Sequence, residues 1–333
     1  MNKRFLFFLN HPAKFHLFKS LIKKLKTNNH VDLIIINKGD LVALVENENW
    51  NYYNILPNGR KSKKNLKILY VTYYFFLSLL KLISYLIKNK RYDKFITDDI
   101  LVIPGYFLGI KSYFYLDVDF NNLNLNKYLL YFANYIISPS ATNIGKYTSK
   151  KLSYNGNKST PYLNNYKNNI KRKYIFIRLS ILNAMHDSNN LGINNYSLSK
   201  LHNFLLKKSA NIKISSERIL PKKYNDYLIQ ISPHKIFDEI SESKLFITDS
   251  GSMATEAAIL GIPNILINNL SKKTGVHLEL NKFGLQYLFE DFTEAYNFIE
   301  NKYDFLIESN LDTSKYKNYI NNFDKIFYNE FLK

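Results

Sequence analysis

The chain has 333 residues, 46% of them hydrophobic, with 46 Lys and Arg against 27 Asp and Glu and a formal net charge of +19. That length suits two α/β domains of about 150 residues each. The absence of cysteine excludes disulfides, thiolate metal sites and a cysteine nucleophile, and is compatible with a reducing cytoplasm.

The positive charge would attract a nucleotide diphosphate, anionic lipid or nucleic acid. However, Lys, Asn, Ile, Tyr and Phe are abundant together, and their A- and T-rich codons account for part of the excess without a partner. The basic residues are spread along the chain and form no nucleic-acid module with aromatics, so no nucleic acid is expected.

Arg4 to Leu9 predicts a first strand, and its apolar run, Phe5 to Leu9, is too short for a secretory signal. Lys14 to Thr27 predicts an amphipathic helix with Phe15, Phe18, Leu21, Ile22 and Leu25 on one stripe, and Val31 to Ile36 the next strand. His11 lies just past the first strand, at the carboxyl edge where doubly wound sheets place ligands. It can deprotonate an acceptor hydroxyl near neutral pH, or merely hydrogen-bond backbone in a His-Pro turn.

Ile68 to Leu80 is uncharged and aromatic, and after Lys81 the apolar character resumes from Leu82 to Ile87. A run of this length falls short of the roughly twenty residues that span a bilayer as a helix. Flanked by Lys67, Lys81, Lys88, Lys90 and Arg91, the segment suits two readings. The preferred one is a helix buried between sheet and neighbours; the other is a helix lying on an anionic membrane surface, a peripheral contact at the inner face of the cytoplasmic membrane.

Further strands are predicted at Lys94 to Thr97, Ser112 to Leu116 and Tyr135 to Ser138. Asp98, Asp99, Asp117 and Asp119 follow such strands, where a carboxylate can act as a base, orient a histidine, hold sugar hydroxyls or cap a helix. Between Asn155 and Arg172 the chain becomes rich in Asn, Lys, Ser and Pro, which places a boundary between a first domain, 1–165, and a second, 166–312. Lys173 to Leu179 opens a second alternating series, continued by helix Leu198 to Lys207, strand Ile212 to Ser215, helix His234 to Ser243 and the Leu245 strand. The expected fold is α/β: two doubly wound Rossmann-like domains facing each other across a cleft.

The richest stretch is Asp249-Ser250-Gly251-Ser252-Met253-Ala254-Thr255-Glu256, leading through Gly261-Ile262-Pro263 into another strand. Gly251 allows close backbone approach, and the N–H groups at the start of the following helix favour an anion. Ser250 or Ser252 can cap that helix. Ala254, Ala257, Ala258 and Gly261 fall on one face and permit close packing on the sheet. Glu256, about one turn in, can accept hydrogen bonds from vicinal hydroxyls such as those of a ribose.

This stretch resembles the donor site of the glycosyltransferase B superfamily, which includes UDP-N-acetylglucosamine 2-epimerases. The resemblance implies that Ser250, Gly251 and Ser252 hold a diphosphate and Glu256 a ribose, with Met253 a further substrate-binding candidate. Ile177-Arg178-Leu179-Ser180, Ala184-Met185-His186-Asp187, Ile214-Ser215-Ser216-Glu217, Leu220-Pro221 and Ser232-Pro233-His234 occur in the order of a family catalogued as domain of unknown function 354. His11-Pro12-Ala13, Tyr154-Asn155-Gly156 and Tyr162-Leu163 look similar to it as well. That resemblance implies the glycosyltransferase B architecture, with residues 313–333 as a helix returning to the first domain. It favours a functional His11, and Asp117 and Asp119 as the acidic pair after their strand. Asn157-Lys158-Ser159 departs from it where a His or Glu is expected.

Arg178 can neutralise a diphosphate leaving group, with His186, Ser216, Glu217 and His234 as further substrate-binding candidates. No metal motif is present and no cofactor is expected. The expected activity is a metal-independent glycosyltransferase using a nucleotide sugar, UDP-linked, on a glycan or lipid-linked acceptor in cell-surface polysaccharide or glycolipid assembly. His11, Asp119 or Asp117 would activate the acceptor. The alternatives are a UDP-N-acetylhexosamine 2-epimerase-like enzyme, against which the Ile-Arg-Leu-Ser sequence at Arg178 speaks, and a noncatalytic nucleotide-sugar-binding protein.

Overall fold

Phe5-Leu6-Phe7-Phe8-Leu9 is apolar on both faces of a strand, a pattern that only a sheet covered on both sides can bury. In the computed structural model, which describes residues 2–60, 67–89, 91–164, 166, 171–180, 192–232 and 235–333, it forms β1 (Arg4–Leu9) at the middle of a parallel sheet. The chain divides into two units, one of Met1–Pro161 with Asn321–Lys333 and one of Tyr162–Ile320.

The first unit runs α1 (Pro12–Lys26), β2 (His30–Ile36), α2 (Leu41–Glu46), β3 (Tyr53–Leu56), α3 (Lys67–Lys88), β4 (Lys94–Thr97), α4 (Val102–Leu108), β5 (Lys111–Tyr115), α5 (Leu129–Phe132), β6 (Tyr135–Pro139) and β7 (Lys151–Tyr154). Its seven strands lie in the order β3-β2-β1-β4-β5-β6-β7. Alternate strand residues feed two cores. Phe5, Phe7, Leu33, Ile35 and Tyr113 meet α1 and α2 on one face. Leu6, Phe8, Ile34, Phe95 and Phe114 meet α3, α4 and α5 on the other.

The short α6 (Thr160–Leu163) leads into β8 (Tyr174–Leu179), α7 (Asn195–Lys207), β9 (Ile212–Ser216), α8 (Ile236–Ser241), β10 (Ser243–Thr248), α9 (Gly251–Ile259), β11 (Asn264–Ile267), α10 (Gly275–Lys282), β12 (Tyr287–Phe289), α11 (Phe292–Glu308) and α12 (Ser314–Tyr319). The second sheet is parallel with order β12-β11-β10-β8-β9. Finally α13 (Phe323–Leu332) sets Phe323, Phe327 and Phe331 into the first unit's core beside Phe5, Phe18 and Tyr113.

Both sheets reverse their strand order once. In the first, β2 and β3 lie to one side of β1 and β4 to the other; in the second, β9 and β10 flank β8. Ligands of doubly wound sheets bind outside the carboxyl ends of the strands at such reversals. His11 and Asp98-Asp99 therefore leave the first switch point, and Arg178 and Asp249-Ser250-Gly251 leave the second.

The preferred reading of the Ile68–Leu80 segment is corrected. Only one side of α3 packs on the sheet, through buried Ser78 and Leu82 with Tyr74, Phe75 and Leu79, while Leu69 is 66%, Phe76 57% and Leu80 66% exposed.

Candidate functional site

At the first switch point the carboxyl ends of β1, β4 and β5 bring together three aspartates and several cations. Lys14, on the first turns of α1, is buried over the Tyr115 ring, with Nζ 3.2 Å from Asp117 and 4.0 Å from Asp98. Lys158 reaches the other Asp117 oxygen at 3.0 Å. These two lysines, acting against burial, hold the Asp117 carboxyl well below the usual carboxylate range. Asp117 is thus an anchored anion and a poor proton acceptor.

Asp98 differs. Its Oδ1 is buried with no hydrogen-bond partner among the described residues, and its pKa is pushed up to about 6, chiefly by burial, with Lys14 opposing and Asp99 and Asp117 adding repulsion. Asp99 is committed elsewhere, accepting from Asn10 Nδ2 and Arg60 at 2.8 Å each and from the Ile100 N–H. Of the neighbouring pair, Asp98 is the one suited to exchange a proton near neutral pH.

His11 caps α1: its Nδ1 accepts from the Ala13 N–H at 3.2 Å. Crowding by protein, then the charges of Lys38, Lys158 and Lys14, lower its pKa well below the ordinary histidine value, with Asp117 pulling the other way. The ring is neutral at pH 7, and because Nδ1 is an acceptor, the geometry assigns the proton to Nε2. His11 therefore offers a hydrogen-bond donor at Nε2.

Asp119 is the remaining candidate carboxylate. It is buried and accepts from the Asn143 N–H at 2.8 Å, tying down the loop that follows β6. The Asn157-Lys158-Ser159 segment contributes the Lys158 cation, while Asn157 Oδ1 accepts from the Ser159 N–H.

In the second unit, β10 delivers Asp249 and the turn. Ser250 is the N-cap residue of α9 by position, but its side chain makes no capping hydrogen bond. The first intrahelical bond runs from Ala254 N to Ser250 O, so the N–H groups of Gly251, Ser252 and Met253 precede it and point out of the helix end. A Cβ on Gly251 would lie 2.8 Å from His277 Nε2, so only glycine leaves the His277 ring where it is. His277 is buried on α10 with Nδ1 3.0 Å from Gln286 Oε1. Met253 is partly buried in the adjoining core.

Ala254, Ala257 and Ala258 are fully buried against the sheet, which lets α9 approach it closely. Ser252, Met253 and Glu256 share the opposite face by helical spacing. Glu256 is not a solvated surface residue: it is 8% exposed and accepts from the Tyr162 hydroxyl at 2.8 Å.

Arg178 turns toward β9, donating to Ser215 Oγ and to Glu217, each at 2.7 Å. Ser216 Oγ donates to the Arg218 carbonyl and accepts its N–H, stabilising the bend after β9. Arg218 is the cation that pairs with Asp249, next to the Ser250 turn, donating at 2.5 Å; Asp249 also accepts from the Ser180 N–H at 2.7 Å. Burial pushes the Asp249 carboxyl up, opposed by that N–H and by Arg218. His186 and His234 lie outside the described residues. Among the described residues no group of three or more His, Asp or Glu is arranged to hold a metal ion.

Solved structures with this arrangement of elements span the whole chain. A UDP-GlcNAc 2-epimerase from Neisseria meningitidis bound to UDP-GlcNAc is 15% identical, covers 99% of each chain and superposes with a TM-score of 0.62. A UDP-N-acetylglucosamine 2-epimerase from Rickettsia bellii is 11% identical over 100% of this chain and 95% of that one, with a TM-score of 0.65. MurG from Acinetobacter baumannii is 13% identical over 98% of each chain, with a TM-score of 0.61. The fold is of the glycosyltransferase B type. No family model matches the chain, so the resemblance to domain of unknown function 354 gains no support from that comparison. No curated protein sequence matches it.

Within that fold, Lys14, Lys158, Arg218 and His277 are the residues that reading the chain did not single out. Lys14 carried a faint signal, a cation at the start of a helix whose stripe is otherwise apolar. For Arg218 and His277, partners 31 and 26 residues from Asp249 and Gly251, only the strand order supplies the pairing.

Proposed function

We propose that this chain is a nucleotide-sugar-dependent glycosyltransferase of cell-surface glycan assembly, acting in the cytoplasm. The observation that carries the reading is the Ser250-Gly251-Ser252 turn opening α9 at the switch point of the second sheet, with Glu256 buried on the same helix. Helix-start N–H groups receive the diphosphate, and Glu256 accepts the ribose hydroxyls. UDP is the proposed nucleotide, because the Neisseria epimerase is bound to UDP-GlcNAc and another similar structure is a complex with UDP.

Asp98 serves as the base. It takes the proton of an acceptor hydroxyl as that oxygen bonds to the sugar's anomeric carbon, and the electrons of the breaking bond leave with the diphosphate. His11 Nε2 donates a hydrogen bond, and Lys14 and Lys158 hold Asp117 as a fixed counter-charge. His186, Ser216, Glu217 and His234 stay as proposed contacts to the substrate, and Arg178 acts with Glu217 as a pair.

A 2-epimerase reading is supported by the recurrence of UDP-N-acetylglucosamine 2-epimerases among the similar solved structures. It needs groups that both remove and return a proton at carbon 2; Asp98, pushed up to about 6, is one such carboxyl, whereas Asp117 is held ionised.

The test incubates the protein in D2O with a panel of UDP-sugars, with and without soluble and lipid-linked acceptors, and analyses products by mass. Glycosylated acceptor and released UDP are expected. Deuterium at sugar carbon 2 without acceptor would assign the epimerase instead, and tight UDP binding without either product a noncatalytic binder.

A further inference from the structure

We propose that the outer face of α3, with the exposed aromatic residues of α4 and α5 on the same side of the sheet, docks on an anionic lipid bilayer, the helix lying in the interface plane. This stands independently of the reaction assigned above.

The helix has no polar face. Its inner side packs into the core of the first unit, and its outer side carries Leu69, Tyr73, Phe76, Leu80, Ile83 and Ile87, spaced four and three residues apart in a single stripe. A helix that is apolar all round belongs in a protein core or in lipid, and here only one side has protein. At 22 residues it is about 33 Å long. Among the described residues it is the one helix long and apolar enough to cross a membrane. Its packing argues against crossing. Lys81, midway along, donates to the Ile55 carbonyl at 2.7 Å, Tyr85 stacks on Tyr53 of β3, and Leu82 is fully buried. The helix is thereby fastened flat on the sheet.

The same sheet face carries more exposed apolar surface. Phe107, at the end of α4, is 74% exposed, and Tyr106, Leu108, Tyr128 and Tyr131 are also open to solvent. Tyr and Phe at this density suit the headgroup boundary, where a ring buries its body and, in Tyr, keeps a wet hydroxyl.

Charge identifies the occupant. From Asn49 to Tyr92 the chain holds nine Lys and Arg and no acidic residue, and from Phe120 to Tyr154 it again holds no acidic residue. The first unit has 26 basic residues against 11 acidic, the second 20 against 16, so most of the net charge belongs to the unit bearing the apolar face. A second copy on this face would bring two such excesses together, whereas anionic headgroups neutralise one.

The test is sedimentation of the full chain with sucrose-loaded vesicles of phosphatidylcholine alone or with about a third phosphatidylglycerol. Binding to the anionic vesicles is expected, weakened by about 0.5 M salt and reduced at least about tenfold by Leu69→Gln, Phe76→Gln and Leu80→Gln together. Because the chain has no cysteine, Phe76→Cys can carry a single polarity-sensitive fluorophore, which keeps the idea testable if the triple variant misfolds. Its emission should shift to the blue on anionic vesicles, while the same label at Tyr196→Cys, an exposed position of α7, should not respond. Equal partition of wild type and triple variant, or an unshifted Phe76→Cys label, overturns the proposal. So does a lipid-free wild-type dimer that the triple variant converts to monomer, which makes the stripe a seam between copies. Resistance to alkaline carbonate extraction overturns it in favour of a spanning helix.

Discussion

Asp98 and Asp117 follow neighbouring strands, touch the same lysine, and end with opposite properties. Asp117 has both oxygens paired with ammonium groups, whereas Asp98 keeps one oxygen buried and without a partner among the described residues. A carboxyl pushed up to about 6 is ionised at pH 7.5 and protonated at pH 5, so turnover should rise across that interval, and Asp98→Asn should lower it about a hundredfold or more and abolish the rise. The stability effect has the opposite sign. The folded-state pKa lies above the unfolded value, so the ionised form is disfavoured by folding, and stability falls as pH climbs from about 4 through about 6. Asp98→Asn should then be more stable than wild type at pH 8, by up to about 3 kcal/mol, with the difference shrinking toward pH 4 in urea titrations. A variant that is both inactive and no more stable at pH 8 would count against the burial argument. The strand-end placement of His11, Asp98 and Asp117 was legible in the chain because strand ends are. Their division of labour was not, since it depends on which lysine reaches which oxygen.

At the scale of elements, the central strands β1, β4, β8 and β10 were readable to within two residues, because each carries consecutive apolar and β-branched residues that a sheet covered on both faces buries. Three of the four edge strands, β3, β7 and β12, escaped because they are short, partly exposed and of mixed polarity, so no apolar run marks them, whereas the fourth, β9, was readable from Ile212 to Ser215. Residues 313–332 form two helices with a break at Ile320–Asn322 instead of one. The second, α13, matters more than its weak periodicity suggests: Phe331 is fully buried, 4.8 Å from the Tyr113 ring and 6.4 Å from that of Phe5. Phe331→Ala should cost about 3–5 kcal/mol. Hydrogen exchange should locate the loss in the seven-stranded sheet and leave the five-stranded sheet unchanged. The reading of α3 failed for a reason of the same kind. Composition shows that a helix is apolar, but only the sheet beneath it shows how many of its sides are covered.

For the whole molecule, the two units repeat one architectural rule with different chemistry at each switch point. The first offers a carboxyl near neutrality, a neutral imidazole and fixed cations; the second offers a helix start and a buried glutamate, with an arginine beside the turn. If the second unit binds the nucleotide and the first moves the proton, substitutions should separate the two functions. Glu256→Gln keeps the size and the Tyr162 contact but removes the charge, and a hydrogen bond to a charged group is worth about 1.5–3 kcal/mol, so UDP should bind roughly ten- to a hundredfold more weakly by calorimetry. Gly251→Ala should weaken it too, because the new methyl displaces His277. Asp98→Asn should leave UDP affinity within about twofold, since the lysine it contacts, Lys14, belongs with it to the first unit, while product formation collapses. Loss of UDP binding in Asp98→Asn, or unaltered binding in Glu256→Gln, would contradict this separation. The two results differ in consequence: the first would make the aspartate cluster part of the nucleotide site, and the second would leave the turn of α9 without its ribose ligand.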